Sequence, residues 1–181
     1  MIVGKRIRLR ADERSDIPSF VAWLNDREVT QYLLRNDPMS MAQEEKWFDR
    51  ILDRPAEECP LAIEAALPGG WTLIGNTSFF DFNWIDRNAE VGIFIGAKEF
   101  WGQGYGTETM QLMLKHGFED YGLNRINLRV YSNNQRGLAC YLKSGFKQEG
   151  VLRQAVYRNG QFLDEIVMGI LSSEWFGKER V

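Results

Sequence analysis

Gly102, Gly104 and Gly106 stand at alternate positions between a strand-like run ending at Ile95 and an amphipathic stretch over 105–121. Glycine has no Cβ, so backbone there can turn sharply and approach a ligand closely. The first turn of a helix carries N–H groups without intrahelical partners, and it is the positive end of the helix dipole. Glycines at such a start make an anion cradle, most naturally for phosphate. The same spacing is also compatible with a tightly packed strand-to-helix bend. Familiar nucleotide motifs fit poorly. A P-loop needs Lys-Ser or Lys-Thr after its last glycine, and Gly106 is followed by Thr107-Glu108. A Rossmann fingerprint needs a third glycine one place later, where Thr107 stands, in an early parallel unit.

Other chemistries find little material. The single histidine, His116, sits mid-helix beside Lys115, Gly117 and Phe118 and reads as solvated or packed. A Ser–His–Asp triad or a multi-histidine metal site would have to be built around it, so no metal is expected. Cys59 and Cys140 lack metal-ligand spacing and are too few for a disulfide framework. A net charge of −3 argues against nucleic acid as the main partner and is compatible with a cationic substrate. Membrane-spanning runs and a signal peptide are both missing from the 181 residues, so a cytoplasmic chain with no membrane partner is expected.

The elements around the glycine turn follow from periodicity. Ile7 and Leu9 alternate with Arg6, Arg8 and Arg10 as a half-buried strand. Ser15 reads as the cap of a helix over 16–25, and 25–34 as a second short helix broken by Asn36-Asp37-Pro38. Ser40 caps a helix carrying Trp47, Phe48, Ile51 and Leu52. Strands are predicted at 61–65, 71–82 and 89–95. After the glycine helix, closed by Gly122, come a strand at 124–131 and a helix over 134–144. Strands at 146–157 and 162–171 then flank an Asn159-Gly160 hairpin turn, and a last helical turn covers 172–176. This is a single α/β (α+β) domain over 1–181. Its mixed, mostly antiparallel sheet has about seven strands, with helices packed on it.

A second segment gives the turn a context. Asn134-Gln-Arg-Gly-Leu-Ala-Cys-Tyr141-Leu-Lys143-Ser-Gly145-Phe146 lies one strand and one loop beyond the glycine helix. Trp101-Gly-Gln-Gly-Tyr-Gly106, Asn134 and Tyr141-x-Lys-x-Gly-Phe146, at this spacing, resemble the GCN5-related N-acetyltransferases (GNAT). Within that family the chain is most similar to the branch of ribosomal-protein N-terminal, spermidine and sugar-nucleotide amine acetyltransferases. Arg153 to Asp164 is typical of that branch.

The resemblance implies a fold with a splayed central strand pair and helices on both faces of the sheet. It implies acetyl-CoA as co-substrate, its pyrophosphate held by backbone N–H groups of Trp101, Gly102, Gln103, Gly104, Tyr105, Gly106 and Thr107. Trp101 departs from the Arg or Gln usual there, at a position expected to contribute mainly backbone. The pantetheine arm would lie along 91–95 like an added strand. Asn134 would bond that arm, and Lys143 would lie near the adenosine phosphate. The amine attacks directly in a ternary complex, so no protein nucleophile is needed. The backbone N–H of Phe94 or Ile95 would hold the oxyanion. Tyr141 would protonate the leaving thiolate, set against a packing role beside Leu138 and Leu142. Glu90 would deprotonate the amine, set against an exposed strand-end carboxylate, with Asp81 and Asp86 as alternatives.

Among Phe79, Phe80, Phe82 and Trp84, alternate strand residues face the core, so at least Phe80 and Phe82, or Phe79, read as packing. Trp84 in the turn and Asp81 are the candidates to touch substrate, and 33–41 would form an acceptor-side lid. The acceptor is a protein N-terminus, a polyamine or an amino sugar. A catalytically silent CoA-binding sensor or assembly module is the alternative. Homodimerisation is expected from the branch, not from the residues.

Overall fold

The computed structural model describes residues 1–34 and 37–178. Among the described residues, eight strands form one sheet: β1 (Ile2–Val3), β2 (Ile7–Ala11), β3 (Leu61–Leu67), β4 (Gly70–Asn83), β5 (Asn88–Ile95), β6 (Arg125–Tyr131), β7 (Lys147–Arg158) and β8 (Gln161–Leu171). Their order is β1-β2-β3-β4-β5-β6-β8-β7. The strand beyond the seven expected is β1, whose two residues pair with Leu9 and Arg8. Every neighbouring pair is antiparallel except β5 and β6.

That exception shapes the molecule. Asn88, Ala89 and Glu90 pair with Arg125, Ile126 and Asn127, and then the pairing stops. From Val91 to Ile95 the β6-facing edge of β5 has no strand beside it. The splay expected from the family resemblance is therefore present, and it opens in the middle of the sheet.

The helices are α1 (Ile17–Leu24), α2 (Arg27–Thr30), α3 (Met41–Ile51), α4 (Tyr105–Lys115), α5 (Gln135–Ser144) and α6 (Ser172–Lys178). Alternation along β5 assigns two of them to opposite faces. Ala89, Val91, Ile93 and Ile95 pack into the core that contains Met110, Met113 and Leu114 of α4. Phe94 points the other way, against Phe20 and Trp23 of α1, with ring centroids at 6.3 and 6.2 Å. Along β6, Ile126, Leu128 and Val130 enter the α4-side core, and Asn127 and Arg129 alternate with them toward the other face.

Three local readings are corrected. Asp16, not Ser15, is the residue before α1. Ser15 lies in a 3-10 turn, where Glu13 and Asp16 bond each other's backbone, and Pro18 suits the first turn that follows. The expected second helix shortens to α2, capped by Asp26, whose side chain accepts from the Glu28 N–H at 2.9 Å. The glycine helix ends at Lys115 and continues as a π turn over His116–Asp120, where His116 Nδ1 lies 2.6 Å from Asp120 Oδ2. The Ser40 cap of α3 is as expected, a reciprocal box with Gln43. Asn36, part of the predicted break, lies outside the described residues. Cys59 and Cys140 are free thiols. Among the described residues, no helix is long and apolar enough to cross a membrane.

Candidate active site

A cleft of about 850 Å³ opens where β5 leaves β6. β5 forms one wall, and the glycine turn with the start of α4 closes one end. α5 forms the opposite wall, and α2 with the segment behind it covers the remaining side.

The turn has the conformation that its sequence demands. Gly102 and Gly104 have φ of +70° and +87°, a region that costs an L-residue about 1–2 kcal/mol. Gly104 caps α4 with no side-chain bond, which leaves the amides of the first turn without partners in the helix. From outside, Arg6 straps the turn. Its Nη1 donates to the Gln103 carbonyl at 3.1 Å, its Nε to Glu108 Oε2 at 3.1 Å, and its guanidinium covers the Tyr105 ring. A Cβ at Gly104 would lie 3.2 Å from Arg6 Nη2. Gly104→Ala should therefore push the turn off its geometry and weaken acetyl-CoA binding about tenfold, the equivalent of 1.4 kcal/mol. Titration calorimetry checks this, and an unchanged Kd would remove the cradle from the site.

Trp101 contributes more than backbone. Its Nε1 donates to the Ile95 carbonyl at 2.8 Å, and the Arg136 guanidinium lies 3.5 Å from its ring centre. This joins the end of β5 to the first turn of α5. Burial pushes the Arg136 guanidinium below its usual range, against the opposing influence of Tyr32 and Glu28. A desolvated cation that has no paired carboxylate among the described residues, beside an anion cradle, fits a phosphate-bearing ligand. Sequence reasoning missed Arg136, although it sits two residues beyond Asn134.

Backbone parity along β5 also bears on the slot. The Gly96 N–H donates to the Ile74 carbonyl at 2.8 Å. Alternation in an antiparallel ladder then turns the Phe94 N–H toward Asn76 and leaves the Ile93 and Ile95 amides facing the slot. The residues present thus fit a ligand that pairs main chain to main chain along one arm and carries phosphates at its end.

On the opposite wall, Asn134 caps α5, its Oδ1 accepting from the Gly137 N–H at 2.9 Å, while the residue also lines the cleft. Tyr141 and Lys143 line it too. Tyr141 is half-buried, packs edge-on to Phe146, and burial pushes its phenol well above the usual value of 10, with Cys140 adding to the effect. It therefore holds its proton at any physiological pH.

Glu90 is a half-buried carboxylate, not an exposed strand end, with 16% of its side chain accessible. Burial is the main force raising its pKa. Arg129 opposes this, Asp81 and Glu165 reinforce it, and a bond from Asn127 Nδ2 at 3.1 Å opposes it. Arg129 lies between two carboxylates, 3.7 Å from Glu90 and 3.5 Å from Glu165. Asp81, Glu90 and Glu165 all line the cleft. Asp81 has φ of +54° at the point where β4 slips register against β5, and this irregularity re-aims its side chain. Glu165 was missed because only the pairing of Tyr131 with Glu165 brings it here.

Three candidates lie elsewhere. Trp84 is not among the residues lining the cleft. It stacks on Phe82 at 5.0 Å, meets Tyr121 edge-on at 6.1 Å and donates to Glu57. Gln103 turns outward, its side chain bonding the Glu99 carbonyl. Asp86 bonds Asn83 in the β4–β5 turn, away from the cleft. Phe80, one of the strand phenylalanines weighed as packing, lines the cleft, where Gly92 on the neighbouring strand leaves room for its ring. Of the expected lid, Leu33 and Leu34 line the cleft together with Val29 and Tyr32, whereas Met39 turns inward and bonds Asn25. No cluster that could hold a metal ion is found among the described residues.

A mixed sheet splayed at a parallel pair, with a phosphate-type cradle at a helix start, is the arrangement that the family resemblance implies. The family model described as "Acetyltransferase (GNAT) domain" matches residues 6–147, and the chain belongs to that family. A Bacillus subtilis (strain 168) protein named an uncharacterized N-acetyltransferase, YoaA, is 30% identical over 92% of this chain and 93% of its own. YdaF of the same strain, provisionally named a ribosomal N-acetyltransferase, is 33% identical over 65% of this chain, and the match spans 63% of YdaF. The solved structure of spermidine N-acetyltransferase from Vibrio cholerae in complex with CoA and spermine superposes with a TM-score of 0.86. It shares 28% identity, covering 96% of this chain and 99% of that one. The chain is an acetyl-CoA-dependent N-acetyltransferase that transfers the acetyl group to an amine.

Proposed function

We propose that residues 1–181 act as one catalytic domain whose acceptor is a small polycationic amine, with spermidine the first candidate. The observation that carries this reading is the acidic end of the cleft, formed by Asp81, Glu90 and Glu165. Partly buried carboxylates attract and orient ammonium groups more strongly than surface ones do. The name of the Vibrio cholerae relative agrees. YdaF supports a second acceptor, a protein N-terminus.

Acetyl-CoA supplies an activated acetyl group. The residues have separate tasks. The amides of 101–107, with Arg136 and Lys143, hold phosphate, and Asn134 bonds the arm. Of the two candidate oxyanion donors, parity favours Ile95 over Phe94. Glu90 takes the proton from the ammonium group, and Tyr141 gives its own to the departing sulfur. Asp81 orients the acceptor. The chain works in the cytoplasm, where acetyl-CoA is available. Homodimerisation would use β7, a sheet edge with Val151, Leu152 and Tyr157 exposed.

A thiol-release assay across spermidine, an amino sugar and a peptide with a free N-terminus tests the acceptor. Spermidine should exceed the others in kcat/KM by about tenfold or more, since charge pairing in a partly desolvated site contributes on that scale. Preference for the peptide would select the second acceptor. Acetyl-CoA binding without turnover of any amine would favour the silent CoA-binding module.

A further inference from the structure

Arg158 ends β7, immediately before the Asn159-Gly160 turn, and its guanidinium reaches across the sheet. Nη2 donates to the carbonyl oxygens of Leu33 and Leu34, each at 3.1 Å, and to Tyr131 Oη at 3.0 Å. Nη1 donates to the Tyr157 carbonyl at 2.7 Å, and the cation lies 5.3 Å from the Tyr131 ring centre. Leu33, Leu34 and Tyr131 all line the cleft.

These acceptors are all neutral. Among the described residues no carboxylate pairs with Arg158, and its Nε is buried without a partner. Desolvating a cation without a counter-charge is unfavourable, so this arrangement is a poor way to gain stability alone. It is well suited to fixing geometry. A planar guanidinium can meet two successive carbonyls and a phenol in one orientation. Elsewhere the segment is tied at its start, where Lys98 pairs with Asp26 and Glu28. In α2 only Val29 is buried, and Leu34 is 86% exposed.

We infer that Arg158 is a positioning residue for the acceptor: it pins the Leu33–Leu34 wall to Tyr131 and so sets the shape of the acceptor end of the cleft. This rests on the proposal that the amine enters beside Asp81, Glu90 and Glu165. The glycine turn contributes nothing to the clasp, so acetyl-CoA binding should be independent of it.

The test compares the full chain with Arg158→Met and Arg158→Lys, using spermidine kinetics, calorimetry with acetyl-CoA and hydrogen exchange of the amides of 29–34. In Arg158→Met the KM for spermidine should rise about tenfold, the scale of losing charge-assisted hydrogen bonds. The kcat and the Kd for acetyl-CoA should stay within about twofold, while exchange at 29–34 quickens about tenfold, as expected for local opening. Arg158→Lys keeps the charge and part of the bonding, and it should recover part of the KM. Equal losses for both substrates would mark a plain structural staple and overturn the inference. Unchanged exchange, or faster exchange with an unshifted KM, would also overturn it. If wild type does not acetylate spermidine, the acceptor proposal fails by itself, and the same comparison runs on the amine that the panel selects. Should Arg158→Met not fold, Arg158→Lys carries the same readouts at smaller amplitude.

Discussion

Tyr141→Phe is expected to lower kcat by about a hundredfold or more while leaving the Kd for acetyl-CoA within about twofold, because positioned proton transfer contributes on the order of 10²–10⁴ in rate. The substitution removes one oxygen and keeps the ring against Phe146. Burial raises the pKa of this phenol, so it carries its proton throughout the working range. No pH limb should therefore be assignable to it. Steady-state kinetics paired with calorimetry separate the two effects. An unchanged kcat would remove Tyr141 from proton transfer and leave it as packing on α5.

Glu90→Gln should cost about a hundredfold in kcat/KM by the same scale, and it should remove the acidic limb of the pH profile. A base works only when ionised, so the wild-type rate must fall as pH drops through the Glu90 pKa. Burial raises that pKa, and the limb should lie above the ordinary carboxylate range. Arg129 acts in the opposite direction by stabilising the ionised form from 3.7 Å. Arg129→Met should accordingly move the limb to higher pH. A limb that stays in place in Arg129→Met, together with a near-normal rate for Glu90→Gln, would transfer the base role to another group, Asp81 being nearest in kind.

Much of this site was legible because it is local in sequence. The glycine turn, the Asn134 cap and the run from Asn134 to Phe146 each declare themselves within a dozen residues. Their backbone demands are met by residue type alone: Gly104 at φ +87°, and Asn134 bonding the Gly137 N–H. What escaped is set by pairing between distant segments. Glu165 reaches the cleft through its register with Tyr131, and Arg158 meets Leu33 across 125 positions. Asp81 was named, but the register slip that aims it was not. Trp84 lies outside the cleft lining because Phe82, Tyr121 and Glu57, from three separate segments, converge on it. Alternation within one strand identifies two faces, but not which face will border a cavity. Phe80 borders the cleft and Phe79 is buried, a choice that alternation leaves open.

The loss of pairing between β5 and β6 after Glu90 has a bearing on how such a chain can change. Amide and carbonyl groups are the same at every position, so a partner held along Val91–Ile95 by main chain is indifferent to most substitutions there. The proposed acceptor end, by contrast, is composed of side chains: Asp81, Glu90, Arg129 and Glu165. A single replacement among these four alters charge directly. One half of the cleft is thus buffered against drift and the other is exposed to it. New acceptor preferences can be explored one substitution at a time without surrendering the shared acetyl donor.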